Sequence, residues 1–176
     1  MQEEFELTFL AKELPAGFST ALPSKEIVDI YVPARAAHAT LRIRKNGDSY
    51  EITKKQPVSS TDSSHQTENT IPLTKEEYAD LSMIPGKRLR KIRYYYAEQE
   101  IDYEIDIFQD ELAGLVVVDV EFNSHAAMAE FVAPPWVLVD VTQDKFIAGG
   151  MLCGRSYADI QDDLDVRQYK KLTLPE

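Results

Sequence analysis

The chain has 176 residues, 44% of them hydrophobic, and a formal net charge of −11 from 30 acidic and 19 basic residues. A chain of this length and apolar content can bury one core without disulfides or a structural metal. Its acidic surplus argues against a general role in binding duplex nucleic acid, because phosphate backbones are bound by cationic surfaces. We therefore expect a single folded domain over residues 1–176, in which any polyanion is bound locally.

Cysteine usage and the first residues of the chain bear on the cellular compartment. Cys153 is the single cysteine, so it cannot form an intrachain disulfide. The N-terminal residues lack the basic start and the long apolar run of a secretory signal, and no stretch of about 18 apolar residues occurs. These features predict a cytoplasmic protein without membrane association.

Short segments in which polar and apolar residues alternate recur along the chain, with turn residues between them. Alternation with a period of two is typical of β-strands that bury one face. The pattern predicts eight strands, over Glu3–Phe9, Glu26–Val32, Ala39–Lys45, Tyr50–Lys55, Gln66–Pro72, Arg88–Tyr96, Ile101–Phe108 and Leu115–Phe122.

Turn residues predict how some of these strands are joined. Asn46-Gly47-Asp48 predicts a tight hairpin, since Asn and Gly tolerate the positive φ of such turns. Ala97-Glu98 predicts a second short link, with weaker turn chemistry. The Ser- and Thr-rich stretch 56–67 indicates either a mobile loop or an irregular hairpin crossing.

Capping residues predict short peripheral helices. Thr74 and Glu77 form a capping-box pattern at the start of a helix over Lys75–Leu81. Ser124 is placed to cap a helix over His125–Phe131, and a third helix is expected to begin near Ser156 or Tyr157.

Charged residues on the strands are sorted by sign and by face. Side chains two residues apart on a strand point the same way, so Glu4 and Glu6 share a face with Thr8. The same rule gives further like-charged pairs: Arg42 with Arg44, Lys91 with Arg93, Glu104 with Asp106, and Asp119 with Glu121.

This sorting has two interpretations. The charges could cover the solvent face of an open amphipathic sheet, whose exposed ion pairs contribute only about 0–1 kcal/mol each. Alternatively, the strands close into a barrel whose charged face surrounds a wet interior. In that case the cations would bind phosphate oxygens, and the carboxylates would bind a divalent metal through hard oxygen ligands.

These residues resemble the CYTH, or triphosphate tunnel metalloenzyme, superfamily. Glu4-x-Glu6-x-Thr8 is similar to its ExExK signature, with threonine in place of the lysine. Later segments resemble the family's other motifs in the same order: Leu41-Arg42-Ile43-Arg44, Tyr50 to Lys55, Lys91-Ile92-Arg93-Tyr94, Tyr103 to Phe108, Gly114-Leu115, Asp119-Val120-Glu121-Phe122, Pro135-Trp136 and Asp140-Val141-Thr142-x-Asp144.

The resemblance implies a mainly β, α+β fold: an eight-stranded antiparallel β-barrel that forms a tunnel, with a few short peripheral helices. It implies a metal-dependent triphosphatase that uses Mg²⁺ or Mn²⁺ and acts on a small-molecule triphosphate, most simply inorganic triphosphate. A homodimer is one option for its assembly. The alternatives are a catalytically weakened module that binds triphosphate, polyphosphate or a nucleotide, a class IV-type adenylyl cyclase, a thiamine triphosphatase, or a β-barrel carrier without metal.

The resemblance also implies roles for the charged residues. The metal would be held by carboxylates drawn from Glu4, Glu6, Glu104, Asp106, Asp119 and Glu121. The phosphate chain would be bound by Arg42, Arg44, Lys55, Lys91 and Arg93. Glu68 and Lys55 are the catalytic candidates, with Glu68 orienting the attacking water. The other interpretation of Glu68 is an acid on a surface loop.

Overall fold

The computed structural model describes residues 2–59 and 62–174, and its strands form one closed antiparallel barrel. The described strands are β1 (Gln2–Ala11), β2 (Ser24–Val32), β3 (Leu41–Asn46), β4 (Ser49–Ser59), β5 (Asp62–Leu73), β6 (Lys87–Glu98), β7 (Ile101–Phe108), β8 (Val116–Phe122) and β9 (Val137–Asp140). The described α-helices are α1 (Lys75–Leu81), α2 (His125–Glu130), α3 (Gly149–Leu152) and α4 (Gln161–Val166).

Strand β1 closes the barrel because it pairs with β8 along one edge and with β5 along the other, an edge that it also shares with β9. The sheet runs in the order β5-β4-β3-β2-β6-β7-β8-β1, and the start of β1 pairs back onto β5. Further along the same edge, residues 9–11 of β1 pair with β9, while the opposite edge pairs with β8. The predicted eight-stranded barrel is therefore confirmed, and β9 is an addition to it.

The described part of the stretch 56–67 forms the paired ends of two long strands, and positions 60 and 61 lie outside the described residues. Strands β4 and β5 continue through the described part of this stretch, and Ser59 pairs with Asp62. The interpretation as a mobile loop is wrong, and the alternative of an irregular hairpin is correct, since the register shifts between Pro57 and Ser59. Backbone pairing forms these strand ends even though the sequence there lacks apolar alternation.

The two short turns differ in how well the sequence located them. Gly47, with φ +60°, joins Asn46 to its partner Ser49, which confirms the first hairpin. The second link was placed two residues too early, because β6 runs on to Glu98. The turn itself consists of Gln99 and Glu100, with φ of +50° and +63°. Neither is a glycine, so the usual signal for positive φ is missing.

Capping residues define the helix starts as expected. At α1 the Glu77 amide donates to Thr74 Oγ1 at 3.2 Å, and the Thr74 amide donates to Glu77 Oε2 at 2.7 Å. At α2 the Ala127 amide donates to Ser124 Oγ at 3.2 Å. The third predicted helix begins as a 3-10 turn over Ala158–Ile160 and continues as α4. Within the described residues, no helix has the length and apolar content needed to cross a membrane.

The interior of the barrel is charged along most of its length and apolar at one end. The residue that follows Thr8 on the inner face of β1 is Leu10, which is fully buried. Leu10 packs with Phe108 and Val117 against Phe146 and Leu152, from the segment that follows β9. This end of the interior is filled by side chains, and the charged groups occupy the remainder.

Close packing at the filled end gives a stability prediction. A Cβ atom on Gly150 would overlap the backbone carbonyl oxygen of Ala39, which cannot rotate away as a side chain would. We expect Gly150→Ala to lower the free energy of unfolding by roughly 1–3 kcal/mol, the usual cost of overpacking.

Urea unfolding checks this expectation, with Gly17→Ala as the control. A Cβ atom on Gly17 would lie 3.2 Å from Tyr96 Oη, a side-chain atom that can shift. Equal stability of Gly150→Ala and the unsubstituted protein would contradict this account of the packing.

Candidate active site

Contacts across the barrel show that the charged faces of the strands point inward. Arg93 on β6 donates to Asp119 on β8 at 3.0 Å, although β7 lies between these strands. Lys55 on β4 likewise reaches Glu6 on β1 across β5. These side chains are less than one-fifth exposed and the β1–β5 pairing closes the sheet, so the interpretation as an open sheet with solvent-facing charges is wrong.

Lys55 connects the two glutamates at the start of β1. Its Nζ lies 3.1 Å from Glu4 Oε2 and 3.1 Å from Glu6 Oε1. The side chains of all three residues are less than one-fifth exposed. Burial alone would raise the pKa of Glu6, but the charge and hydrogen bond of Lys55, together with the charges of Arg93 and Lys91, hold that pKa below its usual range.

Arg93 is the centre of a second cluster. Its Nε and Nη2 donate to the two oxygens of Asp106 at 2.7 Å each, and it also pairs with Glu104 and Asp119. Lys91 donates to the same Asp106, whose side chain is 1% exposed. Burial would raise the pKa of Asp106, but these two cations lower it far below its usual range.

Asp29 and Arg44 form a third buried pair. Arg44 Nε donates to Asp29 Oδ1 at 2.7 Å and its Nη2 donates to Oδ2 at 2.9 Å. Burial alone would raise the pKa of Asp29, but the charge and hydrogen bonds of Arg44, with smaller contributions from Arg42 and Lys91, lower that pKa to about 2. The sequence analysis missed Asp29. It stands within the apolar run 27–32 of β2, and a carboxylate in such a position needs a cationic partner, which is the signal that could have identified it.

Arg42 and Glu68 lie together in the interior with looser contacts. Arg42 Nη2 donates to Glu68 Oε2 at 3.4 Å, and the other oxygen, Oε1, accepts from the Thr70 hydroxyl at 2.7 Å. Arg42 Nε is buried without a hydrogen-bond partner among the described residues. Glu68 belongs to β5 and its side chain is about one-fifth exposed, so the surface-loop interpretation of Glu68 is wrong.

Thr8 follows Glu4 and Glu6 on the inner face of β1. Its hydroxyl donates to Asp119 Oδ1 at 2.9 Å, and its amide donates to Thr142 Oγ1 at 2.9 Å. The short side chain therefore fixes a carboxylate in the interior without adding a positive charge there.

Negative charge is in excess around the two acids of β8. Burial, together with the charges of Glu6 and Asp106, raises the pKa of Asp119 to about 7. Burial and neighbouring carboxylates, Glu104 first among them, raise the pKa of Glu121. The nearby cations therefore compensate these carboxylates only in part.

This donor set fits a hard divalent cation by its chemistry, because carboxylate oxygens are the ligands that Mg²⁺ and Mn²⁺ prefer. Across residues 2–59 and 62–174, no three His, Cys, Asp or Glu side chains converge on one point as they stand. Glu4 and Glu6 instead share the ammonium of Lys55. A metal ion would have to draw these acids away from that ion pair.

Comparison with known proteins places the chain among triphosphatases. No protein-family model matches it. An inorganic triphosphatase of Nitrosomonas europaea is 32% identical over 143 residues, which cover 81% of this chain and 91% of that protein. A crystal structure of an inorganic triphosphatase matches with a TM-score of 0.62 at 27% identity, covering 87% of this chain and 95% of the other.

A more distant structure shares the fold. A proposed adenylate cyclase of Bacillus halodurans matches with a TM-score of 0.53 at 14% identity, covering 100% of this chain and 96% of the other. At this level of identity, the similarity concerns the fold alone.

The Asp29–Arg44 pair gives a prediction about stability. Asp29→Ala leaves a buried guanidinium without its carboxylate, so we expect the free energy of unfolding to fall by roughly 3–5 kcal/mol. The double variant Asp29→Leu, Arg44→Met removes both charges and should recover most of this loss. Thermal unfolding of the three proteins measures both effects. A double variant that is no more stable than Asp29→Ala would contradict the explanation.

Asp119 gives a prediction about pH. Its pKa in the folded protein, about 7, lies above the value of about 3.9 expected in the unfolded chain. The folded state therefore holds a proton between these values, and its stability falls as the pH rises towards 7. We expect the stability of Asp119→Asn relative to the unsubstituted protein to be greater at pH 8 than at pH 5, by on the order of 1 kcal/mol or more.

Urea unfolding in the presence of a chelator tests the Asp119 prediction. The exposed Asp102→Asn is the control, for which the stability difference should stay constant between the two pH values. A constant difference for Asp119→Asn as well would show that Asp119 is ionised throughout.

Proposed function

The chain belongs to the inorganic triphosphatase family of the CYTH-like superfamily, and we propose that it hydrolyses inorganic triphosphate inside the barrel with a divalent metal ion. The main support is the convergence of cations from β3, β4 and β6 and carboxylates from β1, β7 and β8 on one interior space. The cations of this lining suit a linear polyanion, and its carboxylates suit the metal ion that accompanies the polyanion.

The arginines of β3 are the groups best placed to bind phosphate. Arg42 has a buried Nε without a hydrogen-bond partner among the described residues, and its salt bridge to Glu68 is long, at 3.4 Å. Arg44 commits Nε and Nη2 to Asp29, which leaves Nη1 for a ligand. Arginine suits phosphate because its planar fork donates to two oxygens at once.

Lys55, Lys91 and Arg93 complete the proposed phosphate site. Lys91 and Arg93 are held by Asp106, so their positions are fixed before a ligand enters. Preorganised cations of this kind stabilise the negative charge that develops on the transferred phosphoryl group and on the leaving diphosphate. The reaction consumes one water molecule and releases phosphate and diphosphate.

Glu68 is the group we propose to orient the attacking water. Thr70 and Arg42 each hold one of its two oxygens, and the bond from Arg42 is long, at 3.4 Å, so that oxygen can accept a hydrogen bond from water without a large movement. Lys55 lies opposite Glu68 in the β4–β5 ladder and provides the adjacent positive charge.

Carboxylates at the other side of the interior would hold Mg²⁺ or Mn²⁺. The proposed ligands are drawn from Glu4, Glu6, Glu104, Asp106, Asp119 and Glu121. When bound, a divalent ion supplies Lewis-acid stabilisation of phosphate oxygens. Thr8 supports such a site through its bond to Asp119, which holds that carboxylate in the interior.

The same threonine motivates the second candidate function. A chain that lacks the signature lysine has one cation fewer at the phosphate site, so it could bind triphosphate without turning it over. Such a binding module would take up triphosphate in the presence of metal and release no phosphate.

Phosphate release from inorganic triphosphate, measured with Mg²⁺ and with Mn²⁺, tests the proposal. We expect metal-stimulated release, and we expect Arg42→Gln to lower kcat/KM by roughly 100-fold, since a charge-assisted hydrogen bond contributes about 1.5–3 kcal/mol. Arg35→Gln is the matched control, because Arg35 is exposed.

The outcomes separate the two candidate functions. Metal-dependent binding without any release would favour the binding module. Absence of both binding and release, with either metal, would contradict both candidates.

A further inference from the structure

Lys55 differs from the other interior cations in the partners that hold it. Arg44 is anchored by Asp29, and Arg93 by the deeply buried Asp106. The salt bridges of Lys55 among the described residues are to Glu4 and Glu6. Lys55 is thus the cation whose position depends on both carboxylates of the N-terminal motif.

We propose that the Lys55 ammonium and a divalent metal ion compete for the carboxylates of Glu4 and Glu6, so that metal binding releases Lys55 towards the phosphate chain. This inference rests on the proposed function. Without metal, Lys55 is the counter-ion of both glutamates. The release of Lys55 then links metal binding to phosphate binding.

Charge and geometry both oppose simultaneous occupancy. The Nζ atom lies 3.1 Å from an oxygen of each glutamate, whereas a metal ion must approach such oxygens to about 2.1 Å. Two cations at these distances from the same oxygens repel each other strongly inside a protein. Metal binding to this pair therefore favours departure of the ammonium.

The Lys55 side chain can move to a second position inside the barrel. Its flexible four-carbon stem allows the ammonium to move without displacing the strand. Lys55 lies opposite Glu68 in the ladder, and Arg42 is close enough for its positive charge to oppose the charged form of Lys55. Once released, the ammonium joins Arg42 beside the space where phosphate oxygens are expected.

Two consequences follow for binding. Metal affinity is lower than it would be without Lys55, because the metal has to displace an ion pair. Triphosphate affinity is higher once metal is bound, because an additional cation becomes available. A coupling free energy of the usual size between two sites corresponds to about a 5- to 150-fold change in affinity.

Mn²⁺ binding in the absence of triphosphate tests the competition. Calorimetry and the electron paramagnetic resonance signal of free Mn²⁺ would both be used, on the unsubstituted protein, Lys55→Met and Lys54→Met. We expect Lys55→Met to bind Mn²⁺ about 5- to 150-fold more tightly. Lys54 is the preceding residue and is exposed, so Lys54→Met should leave the Mn²⁺ affinity unchanged.

A second titration uses inorganic triphosphate at saturating Mn²⁺, followed at times before turnover. Here Lys55→Met should bind more weakly than the unsubstituted protein, the opposite sign to its effect on the metal. Unchanged or weaker Mn²⁺ binding by a folded Lys55→Met variant, judged by circular dichroism, would overturn the competition.

A crystal structure of the unsubstituted protein with Mn²⁺ decides the question even if the variant does not fold. We expect the ion on Glu4 and Glu6, and Lys55 Nζ away from both carboxylates. Mn²⁺ bound there while Nζ keeps both contacts, or Mn²⁺ bound elsewhere, would overturn the competition. Since the Mn²⁺ titration and this crystal structure measure metal binding alone, they can succeed even if no phosphate is released, and phosphate release can be normal even if they fail.

Discussion

Ion pairs between strands inside the barrel are the constraint on which the rest of the structure depends. A charge taken out of water needs a partner of opposite sign at hydrogen-bonding distance, or it destabilises the fold. Here Arg44, Lys55 and Arg93 each meet a carboxylate supplied by a different strand. The Lys55–Glu6 pair spans β5 at the point where β1 closes the sheet, so a charge that lines a site for a polyanion also stabilises the closure.

Much of this arrangement could be predicted from local patterns. The period of two in each strand located the eight barrel strands and sorted Arg42 from Leu41 and Asp119 from Val120. What the pattern could not supply was the pairing across the interior, because that depends on the stagger between strands in the closed sheet. Asp29 was missed because it is a single charge within the apolar run 27–32 of β2, and β9 because four residues are too few to show a period of two.

The interior combines a rigid part with an adjustable part. Asp106 and Asp29 hold Arg93, Lys91 and Arg44 firmly, and the apolar residues that follow on the same strands fill one end of the barrel. Around Lys55 the acids are instead in excess, and Asp119 has a raised pKa. We therefore expect phosphate to bind the fixed cations and the metal ion to bind the carboxylates whose negative charge is only partly compensated.

The central claim is that the interior of the barrel is where triphosphate binds. Calorimetric titration with a non-hydrolysable triphosphate analogue, in the presence of Mn²⁺, tests it most directly. The account predicts one analogue per chain for the unsubstituted protein, with affinity strongly reduced in Arg42→Gln and unchanged in Arg35→Gln. Equal affinity in all three proteins would place the ligand outside the barrel and contradict the account.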